Sequence, residues 1–144
     1  MQRIQHGFTL IEVMIVTAII GVLAGVAYPS FQAPLYKARR MDGIAALLQL
    51  QMSQEQWRSD HPRYADTAEL RAPAASELRH YTLAVTDASA SGYTLVATAT
   101  GAQAGDRPCR VLRMVVANGQ ATRVSGADAH SRNPEAENRR CWGL

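Results

Sequence analysis

The 144-residue sequence contains no arrangement of side chains that points to catalysis. Its four histidines, His6, His61, His80 and His130, stand far apart and show no metal-ligand spacing. There is no phosphate-binding Gly-Lys loop, nucleophile elbow or zinc-binding helix. Asp66, Glu69 and Glu77 are scattered acids on a stretch that reads as loop, and they read as solvated surface. No enzyme activity, cofactor or metal is therefore expected. Excess charge is also scarce. The formal net charge of +3 is too mild to identify a nucleic-acid partner by itself. Cysteine is limited to Cys109 and Cys141. An even count fits one disulfide in an oxidising compartment, or else two buried thiols.

What the chain does have is one long apolar run. Phe8 to Phe31 reads FTLIEVMIVTAIIGVLAGVAYPSF, with Glu12 as its sole charge. A membrane-spanning helix needs about 20 mostly apolar residues, and the run is that long. An ordinary secretory signal is the alternative, with Ala24-Gly25-Val26-Ala27 as a passable cleavage site. Two features weigh against it: the length, and the absence of a polar break before the next helical pattern. Glu12 is a third. A carboxylate within a bilayer costs about 2.5–3.5 kcal/mol on insertion scales, so it usually marks function. The bland reading of Glu12 is a membrane-edge residue reaching the headgroups.

The leader MQRIQHG followed by this run resembles the class III signal of type IV prepilins. The resemblance rests on the short leader, the Gly7-Phe8 junction, Glu12 four residues after Phe8, and Pro29 after the apolar stretch. The later segment GYTLVATATGAQAGDRPC and the near-terminal Cys141-Trp142 also resemble the globular part of small pilins and minor pilins. The resemblance implies that residues 1–7 are removed by a prepilin peptidase between Gly7 and Phe8, and that the new Phe8 amine is methylated. It implies that residues 8–35 form a transmembrane and assembly helix, held in the bacterial inner membrane until the assembly machinery moves it into a filament. In the filament Glu12 would pair with the Phe8 ammonium of a neighbouring pilin subunit. Phe8 and Glu12 are about one helical turn apart. In a dry filament core each buried charge needs a partner, so the pair can set register. Charge counting runs the other way: Lys37, Arg39 and Arg40 beyond the run outweigh Arg3 in the leader, which favours the opposite orientation. The resemblance and an exported disulfide, Cys109 to Cys141, both favour a periplasmic head, extracellular once in the pilus.

Residues 36–144 read as that head. Pro29 and Pro34 each remove a backbone donor, and a kink is expected near Pro29. Met41, Ile44, Ala45, Leu48 and Met52 recur at helical spacing and suggest a face packed on a sheet. The helix is expected to reach about Ser59, with Pro62 ending it. Residues 60–79 read as a surface loop. HYTLAVT from His80 and GYTLVATAT from Gly92 alternate like half-buried strands, and VLRMVVANGQATRV holds two more around the hairpin signal Asn118-Gly119. The chain from 126 onward is polar and turn-rich, a C-terminal loop closed by residues 109 and 141. The expected class is α+β: a long N-terminal helix on a roughly four-stranded antiparallel sheet, the type IV pilin fold.

The function this implies is a major or minor structural subunit of a type IV pilus, supporting assembly, adhesion or twitching motility. Two alternatives stay open. One is a DNA-binding minor pilin using Arg107, Arg110, Arg113, Arg123, Arg132, Arg139 and Arg140 on phosphates. Asp106, Asp128, Glu135 and Glu137 lie among these arginines, which also fits an ordinary mixed surface. The other is a type II secretion pseudopilin, against which the paired cysteines argue.

Overall fold

The computed structural model describes residues 8–144, except for the side chains of residues 26–30. The leader residues through Gly7, and with them one side of the expected cleavage junction, lie outside the described residues. The chain divides into two compact units after Leu35.

Helix α1 spans Leu10–Asp60. The Thr9 hydroxyl accepts the Glu12 backbone N–H at 3.3 Å, so Thr9 caps the helix and Glu12 lies in its first turn. Helical backbone continues through Pro29 and Pro34. The expected kink falls where side chains are not described. From Leu10 to Gly25 every side chain is exposed. Among the described residues, no helix is long and apolar enough to cross a membrane.

In the second unit, Tyr36–Leu144, the sheet has four antiparallel strands in the order β1-β2-β3-β4: Tyr81–Thr86, Gly92–Ala99, Val111–Ala117 and Gln120–Gly126. Register pairs Leu83 with Ala97, Leu95 with Met114, and Met114 with Arg123. One face therefore collects Tyr81, Leu83, Val85, Tyr93, Leu95, Ala97, Leu112, Met114 and Val116, all buried with α1 in a single core. The period-2 alternation in the sequence is this face. Asn118 and Gly119 both take positive φ, 50° and 78°, as a two-residue β3–β4 hairpin turn requires.

The helix face that meets the sheet is not the expected one. Ile44, Ala46, Leu47, Leu50 and the side chain of Gln54 are buried. Met41 is 57% exposed and Met52 74% exposed, and Ala45 and Leu48 also face outward. Of the expected stripe only Ile44 is core. The sheet selects the stripe that fits its relief. Gly43 lies against the Tyr81 ring so closely that a Cβ there would sit 2.8 Å from a ring carbon. That contact turns the Gly43–Leu47–Leu50 side inward.

Residues 61–80 are pinned rather than loose. Gln54 clamps Ala65, accepting its N–H at 2.9 Å and donating to its C=O at 2.7 Å. The Asp42 carboxylate accepts from the Ser76 hydroxyl at 2.6 Å and from the Leu78 and His80 backbone N–H groups. The Thr67 hydroxyl exchanges hydrogen bonds with Val85 on the outer edge of β1.

The C-terminal loop also carries more structure than expected. Helix α2 spans Glu135–Trp142, with acids in its first turn, Arg139 and Arg140 in its last, and Gly143 left-handed at its end. These are ordinary start and stop signals in PEAENRRCWG. The Cys109–Cys141 disulfide holds α2 to the chain just before β3. Trp142 is buried, and its indole N–H reaches the Val124 carbonyl at 3.3 Å.

Candidate functional site

Two regions carry the candidate residues, one in each unit. In the first, Phe8 is 81% exposed and precedes the Thr9 cap. Glu12 is exposed on the first turn, where the helix dipole favours a carboxylate. Among the described residues the ion pairs are Arg40–Asp106 and Arg63–Glu69, and Glu12 is in neither. The TLIE segment from Thr9 also fits a capping box, which places Glu12 at the third helical position for a local reason as well.

In the second unit, the end where its chain begins is built on a buried polar network. Arg40 grips Asp106 with two nitrogens, at 2.6 and 3.1 Å, and gives a third hydrogen bond to the Arg140 carbonyl at 3.1 Å. Asp106 is 4% exposed. Gln103, fully buried, donates to Asp106 at 3.2 Å, to the Tyr81 hydroxyl at 3.1 Å and to the Tyr36 carbonyl at 3.3 Å. Burial raises the Tyr81 pKa to about 12. Tyr93 is raised too, by burial and then by Glu55, to which its hydroxyl donates. Sequence reasoning missed this network. Arg40 read as a membrane-side cation and Asp106 as surface acid, because nothing local links residues 66 positions apart.

The seven arginines of the last third do not form one free cluster. Arg113 is committed to the carbonyls of Ala129 and Ser131, both at 2.5 Å, which ties the loop after β4 to the sheet. Arg110 donates to the Ala104 carbonyl at 3.2 Å. Arg123 lies over the Trp142 ring, 5.7 Å from its centre. Arg107, Arg132, Arg139 and Arg140 are exposed, as is Arg123. Of the acids among them, Asp106 is taken by Arg40. Asp128 is turned onto the backbone N–H groups of Ser131 and His130, which lower its pKa.

Residues 2–28 match the family model described as the prokaryotic N-terminal methylation motif. Residues 29–113 match the one described as type IV minor pilin ComP, DNA uptake sequence receptor. Among curated proteins, the type IV major pilin protein PilE1 of Neisseria gonorrhoeae is 54% identical over 48 residues, 33% of this chain and 28% of that protein. The type IV major pilin protein PilA of Myxococcus xanthus is 41% identical over 64 residues, 44% of this chain and 29% of that one. The type II secretion system core protein G of Dickeya chrysanthemi is 34% identical over 67 residues, 46% of this chain and 44% of that one. The chain thus spans less than half the length of these relatives. The match over residues 29–113 covers more than half of the chain, and with it the capped N-terminal helix and the four-stranded sheet place the chain in the type IV minor pilin family described as ComP, DNA uptake sequence receptor.

Proposed function

We propose that this protein is a minor subunit of a type IV pilus. It is cleaved between Gly7 and Phe8, methylated on Phe8, held in the inner membrane through residues 8–35, and assembled through contact of Glu12 with the Phe8 ammonium of the next subunit. Its partners on this reading are other pilins, the prepilin peptidase and methyltransferase, and the inner-membrane assembly machinery. The observation that carries it is the match over residues 2–28 to the N-terminal methylation motif. The exposed Glu12, one turn from Phe8 and without an ion-pair partner among the described residues, supports the assembly contact. Residues 26–30 belong to the 8–35 segment, and a kink at Pro29 is part of the proposal. Mass spectrometry of the mature protein tests processing, with Phe8 as a methylated first residue expected. An intact leader, or a start near Tyr28, would overturn it. Glu12→Val tests assembly. It should still insert in the membrane, since a costly charge has gone. It should be missing from sheared filaments, because the neighbour's ammonium would be buried alone. Entry into filaments at the parent's level would refute the assembly contact.

A second reading is favoured by the match over residues 29–113, which covers most of the head: the pilus-borne head binds DNA. Of the seven arginines, Arg107, Arg132, Arg139 and Arg140 are exposed without a side-chain partner among the described residues and could meet phosphates, Arg123 is exposed over Trp142, and Arg110 and Arg113 are structural. Affinity should fall steeply with salt as counterions are released. Neutralising Arg139 and Arg140 should reduce the salt slope by about two, whereas Arg113→Gln should act through folding. Binding no stronger than that of a neutral protein at low salt would remove this reading.

A further inference from the structure

We propose that the end of the head where its chain begins is a docking face for anionic phospholipid headgroups. The head rests this face on the membrane before it is drawn into a filament. The inference rests on the reading that residues 8–35 are inserted in the membrane. Phe31–Leu35 connects that run to Tyr36 with no charged residue between, so the head's first turn follows the inserted run directly in the chain.

The cations at this end come from three separate chain segments. Lys37 and Arg39 lie on the first turn of the head, Lys37 exposed and Arg39 half-buried. Exposed Arg107 follows Asp106, and the contact of Asp106 with Arg40 brings it to the same level. Gly105, just before, approaches Tyr36. Exposed Arg140 is placed there by the hydrogen bond from Arg40 to its carbonyl. Arg40 itself, the central cation, is neutralised by Asp106. The next acid on α1, Asp42, is turned to Ser76, Leu78 and His80. Four cations are thus left at this end of the head, while Asp106 and Asp42 are both turned to partners within it. A single chain segment could carry such charges by chance, but here the Arg40–Asp106 and Arg40–Arg140 contacts gather them. The arrangement also accounts for a charge balance that runs against the usual orientation rule. These cations meet lipid as folded-head side chains rather than as a topology signal.

Each cation near an anionic surface shifts the docked population about fivefold, and the attraction decays over roughly 10 Å at moderate salt. The test uses the full chain reconstituted in phosphatidylcholine vesicles with or without phosphatidylglycerol. Phenylglyoxal labelling of each arginine is read by mass spectrometry. Labelling of Arg39, Arg107 and Arg140 should slow several-fold when phosphatidylglycerol is present and recover at high salt, while Arg132, on the loop after β4, should be unaffected. Lys37→Gln combined with Arg39→Gln should weaken protection of Arg107 and Arg140; neither side chain is in the buried network, so the fold should be retained. Equal labelling in both vesicle types overturns the proposal. So does protection that requires added DNA and ignores phosphatidylglycerol, which would make this end a nucleic-acid surface. Failure of the chain to sediment with either vesicle overturns the anchor reading instead, and this proposal with it.

Discussion

Removing the Asp106 carboxylate should destabilise the head more than any surface substitution. Asp106 is 4% exposed and the Arg40 side chain 15%, so neither charge is solvated in the folded head. In Asp106→Ala the guanidinium loses both carboxylate contacts and keeps only the Arg140 carbonyl. Gln103, whose side-chain oxygen already has no partner among the described residues, loses one of its three acceptors. Breaking a buried pair by removing one member costs about 3–5 kcal/mol, and the surviving carbonyl contact puts this case near the lower end. Exposed pairs give about 0–1 kcal/mol, so the two descriptions are well separated. For a head of this size about 3 kcal/mol corresponds to a fall of roughly 10–20 °C in melting temperature. Urea and thermal unfolding of the disulfide-intact full chain in detergent, followed by the fluorescence of Trp57 and Trp142, measures it. A second variant separates charge from packing. Arg40→Met with Asp106→Leu removes both charges together and should recover most of the loss, since an apolar pair can replace a buried ion pair at little cost. A single variant within about 1 kcal/mol of the parent would place the pair in the solvated class. A double variant no better than the single would mean that the geometry of the network, not the stranded guanidinium, carries the effect.

Gly43→Ala should cost about 1–3 kcal/mol, because a Cβ 2.8 Å from the Tyr81 ring overpacks the helix–sheet contact; denaturant unfolding should show it, and a neutral or stabilising result would refute the close approach. Cys109→Ser, or reduction, should remove about 3–4 kcal/mol by the chain-entropy estimate for a separation of 32 residues. Hydrogen exchange should speed first in α2 and the segment 127–134, and uniform acceleration across the sheet would count against a local role. Stability should also fall above pH 10. The Tyr81 pKa is raised to about 12, so above pH 10 the unfolded chain releases that proton while the folded chain keeps it. The loss grows with pH until the folded-state value is passed. Tyr81→Phe should flatten part of this alkaline slope, with Tyr93 carrying a similar share, and an unchanged slope would show that Tyr81 ionises freely in the fold.

The sequence alone determined those features whose signal is local. Alternation in HYTLAVT and GYTLVATAT marks the buried face of β1 and β2, because strand side chains alternate whatever they pack against. Asn118-Gly119 marks its turn, because few residues accept two consecutive positive φ values. The paired cysteines could be read for a related reason: an even count in an exported chain points to the Cys109–Cys141 disulfide that the structure holds. PEAENRRCWG holds helix α2 by equally local start and stop signals.

Tertiary structure decided what depends on partners distant in the chain. On α1 both the Met41–Ala45–Leu48–Met52 stripe and the Gly43–Leu47–Leu50 stripe have helical spacing. Periodicity cannot choose between them, and the choice fell to the fit of Gly43 against Tyr81. The commitment of Arg40 to Asp106, of Gln54 to Ala65 and of Arg113 to the loop after β4 is likewise invisible locally. A polar side chain far from its acceptor in sequence looks like surface until the fold brings the acceptor to it and excludes water.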